Sequence, residues 1–437
     1  MTAASTPSEL HNWQRRFFLI WGGQVFSLLG SNLVQFSLIW WLTRTTGSAT
    51  ILAASTIVAV LPNFFLAPFA GALVDRWNRR KVMIAADSIV ALVTLGLVIL
   101  FWSESIQVWH IYLAIFLRST FGIIHYTAMQ ASTTLLVPKT QYSRIAGLNQ
   151  SLRGALNIVA PPLGALLLGL LPVHWVLAID IITAALAVVP LLFMTIPQPN
   201  DVAVNGNAVT PAALWQDIVS AFRYAVKIPG MVALFGIAML INFVIAPSSS
   251  LIPLLVTQHF KGGVWHLGWI DSASGIGVVA GGLILTAWGG FRRKMVTTLS
   301  GVIGIGAGVL LLGISPSNMF TLAIAGAFLF GFMLPITNGP IMAFLQFRVD
   351  PGMQGRVITL LESFATAMMP VSLAMAGPIS DRFGIQTWFV FGGAACILIA
   401  LASFLIPSLY QMEDQPVNSE GESALPAVGA SMPLPPD

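Results

Sequence analysis

The chain reads as long apolar runs separated by short polar interruptions. A helix that crosses a hydrocarbon core needs about 20 mostly apolar residues. With that ruler, spans fall near 17–43, 49–74, 82–103, 108–136, 145–171 and 173–196, then near 231–257, 265–288, 295–315, 318–347, 357–380 and 385–407. The runs are continuous, whereas the strands of a membrane barrel alternate apolar and polar residues. The first run is too long for a cleaved leader and shows no small-residue cleavage site, so it is expected to remain as the first span. The pattern predicts an all-α membrane protein of twelve transmembrane helices in two six-helix halves.

The longest polar interruption, 197–230, separates a first half, 1–196, from a second, 231–407. Inside it, Thr210–Pro211 reads as an N-cap and first helical residue. Trp215, Ile218, Val219, Phe222 and Val226 then share a face opposite Asp217, Ser220, Arg223 and Lys227. This predicts an amphipathic helix at the cytoplasmic surface, lying in the interface or packed on the bundle. The tail, 408–437, is acidic, contains several prolines and no Lys or Arg, and is predicted to be disordered. The halves echo each other: Arg79-Arg80-Lys81 recurs as Arg292-Arg293-Lys294, and Pro161 matches Pro370. The offset of the prolines also pairs Arg153 with Glu362, and Pro197 and Pro407 close the sixth and twelfth spans. A duplicated six-helix unit puts a substrate path between the halves, near the midplane.

Composition narrows the class. Of 437 residues, 56% are hydrophobic and 8% charged, against about 25% charged in a soluble domain. Mean hydropathy is +0.85. A soluble enzyme, a disordered chain and a nucleic-acid binder are excluded. The basic balance sets orientation instead. With both termini inside, the cytoplasmic connections hold Arg15, Arg16, Arg76, Arg79, Arg80, Lys81, Lys139, Arg144, Arg223, Lys227, Arg292, Arg293, Lys294, Arg348 and Arg356. The other side holds Arg44, Lys261 and Arg382, a strong positive-inside bias. One cysteine, Cys396, excludes a disulfide framework or a cysteine-ligated metal site. The sequence has no Gly-x-x-x-x-Gly-Lys-Ser/Thr loop and no His-Glu-x-x-His, so neither direct ATP drive nor a cofactor or metal is expected.

Between spans two and three lies Gly71-Ala-Leu-Val-Asp75-Arg76-Trp-Asn78-Arg79-Arg80-Lys81. It resembles the Gly-x-Leu-x-Asp-Arg-x-Gly-Arg-Arg loop of the major facilitator superfamily. Asn78 stands where the family has Gly; Asn tolerates the left-handed backbone expected of so tight a turn. Gly71, Asp75, Arg76, Arg79 and Arg80 are the candidate conformational latch, Asp75 facing another helix's N-terminus or an arginine. The second half carries a degraded copy, Gly282-Leu283 through Trp288-Gly289-Gly290-Phe-Arg292-Arg293-Lys294, without the aspartate. Arg118-Ser-Thr-Phe-Gly122 looks like the Arg-x-x-x-Gly run of proton-coupled members. Ala160-Pro161-Pro162-Leu163-Gly164 resembles the Gly-Pro-x-x-Gly antiporter motif, with alanine at 160 and 165 in place of glycine. More widely, the chain resembles the macrolide-efflux branch of drug:proton antiporters, from Asn12-Trp13 through Thr46-Gly47-Ser48-Ala49 to Gly355-Arg356-Val357. That resemblance implies proton-driven export of small molecules. The alternatives are export of a siderophore or other metabolite and, more remotely, a polytopic membrane enzyme.

Ionisable groups at membrane depth are expensive and therefore candidates for function. Arg118, Asp271 and Glu362 are the candidates for proton coupling. Asp87 is expected to pair with the neighbouring loop, Asp180 to pair locally, and His125 could titrate near neutral pH. The resemblance implies a cavity lined by spans one, four, seven and ten, which offers Gln24, Asn32, Gln35, His125, Asn242 and Asn338 among many aromatics. Such a wall suits bulky amphipathic compounds. The expected partners are a small-molecule substrate, protons and the lipid bilayer, with no nucleic acid, and the chain is expected to act as a monomer in the cell membrane.

Overall fold

The computed structural model of the chain describes residues 13–194 and 211–409. The calls on Thr210 and on the tail beyond Leu409 therefore lie outside the described residues. All regular structure among the described residues is helical. The first half holds α1 (Trp13–Thr46), α2 (Ala49–Arg76), α3 (Arg79–Trp102), α4 (Val108–Leu136), α5 (Tyr142–Leu170) and α6 (Val173–Phe193). Then come α7 (Pro211–Lys227), α8 (Met231–Leu254), α9 (Val264–Trp288), α10 (Lys294–Ile314) and α11 (Phe320–Arg348). The chain continues through α12 (Pro351–Ala367) and α13 (Met369–Phe383) to α14 (Gln386–Ser403). Twelve spans cross the membrane: α12 and α13 form one of them, and α7 is too polar to be another.

Two local expectations are corrected. The eleventh span is not one helix. It breaks at Met368, just before Pro370, because proline lacks an N–H and its ring crowds the carbonyl four residues back. Its counterpart Pro161, with Pro162, sits inside an unbroken α5. The turn before α3 needs no left-handed residue either. Asn78 has φ −64° and ψ 108°, and its side-chain oxygen accepts from the Lys81 N–H at 3.1 Å. It is an N-cap, satisfying one of the orphan donors of the first turn.

α7 packs on α12, with Phe222 and Phe364 rings 6.1 Å apart. Ala221 and Ala225 are buried while Ile218, Phe222 and Val226 stay over 40% exposed. The helix thus both packs on the bundle and keeps an apolar face outward, as an interfacial helix does. In lipid the hydrophobic effect does not pull helices together, so small residues that let backbones touch become the glue. α10 shows this on several sides: Gly306 meets Gly393 of α14, Gly308 meets Phe330 of α11, and Gly313 meets Phe389. α9 and α11 close on Gly277, Gly281 and Gly331, where any Cβ would strike the facing backbone. In the first half, Gly23 and Gly30 bring α1 onto Leu186, Ala187 and Asp180 of α6.

The halves meet along two seams. α5 packs on α9, with Gly268 against Ala165 and Pro162, and Gly275 against Ile158. α2 packs on α13, where a Cβ at Gly377 would lie 2.7 Å from Thr50 Cα. Thr56 Oγ1 and Ser250 Oγ, 2.6 Å apart, tie α2 to α8. The Gly268, Gly377 and Thr56–Ser250 contacts sit toward the end of the bundle that carries the α1–α2 turn, and the Gly275–Ile158 contact sits near the middle of its two helices.

Gly331→Leu should therefore separate α11 from α9 and destabilise the protein by at least about 1–3 kcal/mol, the scale of overpacking. Gly96→Leu, with nothing within 4 Å of its added Cβ, should leave stability at the parental value. Thermal unfolding of the two variants in detergent, followed by size-exclusion profile, checks the contrast.

Candidate functional site

Ionisable side chains gather inside the first half in two layers. Arg118 lies ten residues along α4, about 15 Å from its start. Its Nη1 is 2.7 Å from Asp180 Oδ2 on α6, and it also bonds Thr94 Oγ1 of α3. The Thr94 hydroxyl is 2.9 Å from the same carboxylate oxygen, and Ser31 Oγ of α1 donates to Asp180 Oδ1 at 3.3 Å. Four helices thus converge on one carboxylate that is 1% exposed. Gly30 makes this possible, because a side chain there would collide with Thr183 and Asp180 and hold α1 away. Asp180, expected to pair locally, instead pairs across 62 residues.

The second layer repeats the first two helical turns away. Gln24, Asp87 and His125 each lie seven residues from Ser31, Thr94 and Arg118 on the same three helices. Seven residues return to the same helix face about 10 Å along the axis. Gln24 Nε2 donates to Asp87 Oδ2 at 3.4 Å, and His125 Nε2 lies 3.4 Å from that oxygen. Gln24 Oε1 and His125 Nε2 are buried without a hydrogen-bond partner among the described residues. Asp87, expected to serve the neighbouring loop, faces α1 and α4 instead.

Both layers border a cavity of about 480 Å³. It extends from the midplane toward the end where α3 begins and α4 finishes. Gln24, Asn32, Gln35, Arg118 and His125 line it together with Ser27, Ser31, Asp87, Ser119, Tyr126, Gln130, Asn149 and Asn157. Asn242 and Asn338 are not among its walls: Asn242 bonds Ala238 of its own helix and Asn338 is exposed. Among the described residues Tyr126 is the one aromatic side chain in its wall, and Phe36 of α1 packs on Gly164 of α5 instead. Asn149 and Asn157 are wall residues that the pattern of prolines in α5 does not point to; their spacing of eight residues, one helix face, is the signal the sequence carries for them.

The remaining candidates stand elsewhere. Arg79 is buried and donates to Ala131 O of α4 at 2.8 Å. Arg80 donates to Leu191 O and Leu192 O, a cation on the carbonyl-rich end of α6. These three bonds stay within the first half. The side chains of Gly71, Asp75 and Arg76, at the end of α2, and of Arg153 lie outside the described ones. Ala160, Pro161 and Gly164 belong to the stretch of α5 where Gly164 meets Phe36 and Ala165 meets Gly268. Asp271 is three residues after Gly268 and four before Gly275, on the side of α9 that faces α5, and shows no hydrogen-bond or ion partner among the described residues. Glu362 is exposed on α12.

The Arg118–Asp180 pair makes a separable prediction. Removing either partner leaves a desolvated charge, a loss of about 3–5 kcal/mol, while replacing both by apolar residues is close to neutral. Arg118→Ala and Asp180→Ala should each lower protein level and melting temperature. The double variant Arg118→Met with Asp180→Leu should recover both yet remain inactive in transport. Recovery of transport as well would reduce the pair to a structural role.

The comparisons with known proteins agree with this architecture. The model of the Major Facilitator Superfamily matches residues 20–372. Macrolide efflux protein A of Streptococcus pyogenes is 29% identical over 405 residues, 93% of this chain and 99% of that protein. The multidrug efflux pump Tap of Mycobacterium tuberculosis is 24% identical over 394 residues, 86% of this chain and 90% of its own. Among solved structures, a mutant of the nucleoside transporter NupG aligns with a TM-score of 0.69 at 14% identity, covering 89% of this chain and 99% of that one. A bacterial homologue of the lysosomal transporter Spinster, inward-facing and unoccupied, aligns at 0.64 and 12% identity over 94% of this chain and 98% of its own. With twelve membrane-spanning helices in two halves, a polar cavity walled by the first of them, and a family match spanning most of its length, the chain belongs to the major facilitator superfamily.

Proposed function

We propose that the chain is a secondary active exporter that carries bulky amphipathic compounds, macrolide-like drugs among them, out of the cytoplasm in exchange for protons. The observation that carries this reading is the cavity, in which amides and hydroxyls surround ionisable groups at a depth where a merely structural polar cluster would be expensive. The efflux proteins that resemble the chain along nearly its whole length support the direction and the class of compound. In this reading the arginine and lysine bias puts both termini inside. The cavity then opens to the cytoplasm, and the seams between the halves seal the outer end. Arg118 neutralises Asp180, whereas Asp87 is faced by an amide and a histidine. A carboxylate so placed favours compounds that bring a basic amine.

Proton coupling is assigned to Asp271. It occupies a seam that must open and close in each cycle, and closing a seam on an unpartnered carboxylate costs several kcal/mol unless the group is neutral. Protonation and closure then become one event. In proteoliposomes, drug addition should dissipate an imposed pH gradient, and uphill export should stop when that gradient is collapsed. Asp271→Asn should abolish uphill export and leave downhill exchange measurable. Export that ignores the proton gradient but follows sodium would refute the coupling. If Glu362→Gln, and not Asp271→Asn, loses only the uphill mode, the proton belongs on the eleventh span.

Asp75 ends α2 in the loop motif and is assigned to the latch at the cytoplasmic end. Asp75→Asn should slow export at least tenfold at normal protein level, about the 1–3 kcal/mol of a charge-assisted hydrogen bond. Initial efflux rates normalised to protein amount check this, and a parental rate removes the assignment.

A further inference from the structure

The end of α13 repeats the end of α2. Gly377-Pro-Ile-Ser-Asp381-Arg382-Phe-Gly384 and Gly71-Ala-Leu-Val-Asp75-Arg76-Trp-Asn78 share a glycine, an Asp-Arg pair four residues on, an aromatic residue, and a glycine or asparagine at the turn. The second copy escapes a search at the offset of the other repeats, because it follows the eleventh span rather than the eighth. It lies beside the opposite end of α2 from the first copy.

Its aspartate is bonded across the halves. Asp381 Oδ1 accepts from the Ala49 N–H at 2.6 Å, and Oδ2 from the Thr50 N–H at 3.0 Å. Oδ2 also accepts from Ser48 Oγ at 2.9 Å and Thr50 Oγ1 at 2.7 Å. Four donors in three consecutive residues, two of them the free N–H groups that open a helix, hold one carboxylate from the other half. The helix dipole adds to their attraction. One turn earlier Gly377 lets Thr50 Cα approach, so α13 can reach this close. Nearby, Gln258 Nε2 donates to Gly47 O in the same α1–α2 turn.

We propose that Asp381 is a positioning residue of the transport cycle: seated on the N-terminus of α2 it holds this end of the bundle shut, and its release opens the cavity toward that end. The inference assumes alternating access but no particular substrate or coupling ion. A carboxylate fits this task because its bonds to an N-terminus are strong together, yet each donor finds water when the seam parts.

The test needs neither drug nor gradient. Ser250→Cys places a thiol on α8 within the seam, at the residue paired with Thr56, and the full-length chain without it supplies the blank for Cys396. A membrane-impermeant maleimide is applied to right-side-out and inverted vesicles. Asp381→Asn and Asp381→Ala should each raise labelling of the Ser250→Cys thiol at least fivefold from the face bearing the α1–α2 turn. Thr50→Val, which removes one donor, should give an intermediate rise, and Asp381→Glu should return most of the protection. Unchanged labelling in Asp381→Asn at parental protein level overturns the proposal, as does a rise confined to the opposite face. Should the Asp381 variants fail to accumulate, Thr50→Val decides, since a hydroxyl deletion at the surface keeps the fold: no rise there is also refutation.

Discussion

A charge in the middle of a bilayer must find its counter-charge on another helix, and the Arg118–Asp180 pair meets that demand by fixing where four helices stand. The pairing is meaningful only if α1, α3, α4 and α6 approach to hydrogen-bond distance, and Gly30 supplies the room. Once those helices are set, the second layer follows from register alone. The residues one heptad along each helix must also face one another, and they are Gln24, Asp87 and His125. The first half is therefore organised around polar groups and the second around glycine contacts, with α10 enclosed by α11 and α14. The division suits a transporter in which one half holds the polar cavity and the other rocks against it.

The spans were legible in the sequence because bilayer thickness imposes a length, and a run of apolar residues either reaches it or does not. The family loop was legible because Gly71, Asp75 and Arg76 stand at fixed spacing. What could not be read is which faces meet. Asp180 has no local partner in the sequence that distinguishes it from a residue paired within its own helix; its partner is set by α3 and α4 folding beside α6. Asn242 and Asn338 share residue type with Gln24 and Asn32, but they stand on α8 and α11, and the cavity is walled by α1, α3, α4 and α5. Proline shows the same limit, since Pro161 and Pro370 occupy matching places and only the second breaks its span.

The Asn78 turn shows how a motif can keep its shape with different chemistry. A glycine there would supply backbone freedom, whereas asparagine supplies a side-chain acceptor for the Lys81 N–H and so begins α3 as a capped helix. Arg79 and Arg80 then emerge on the first turn, aimed at carbonyls of α4 and α6. These two charges therefore brace the end of the first half at which α3 begins.

The break at Met368 gives the eleventh span two mechanical parts. α12 is engaged with α7 at one membrane face and α13 with α2 at the other, while α8 runs beside both. Where a proline removes a hydrogen bond from the ladder, a helix bends with far less resistance than along its continuous stretches. In the proposed cycle, movement at one face need not be transmitted rigidly to the other, and the span can act as two levers sharing a pivot. The two gates of such a machine can then be timed separately, one fully closed before the other lets go, which is the condition for carrying cargo without ever forming an open pore.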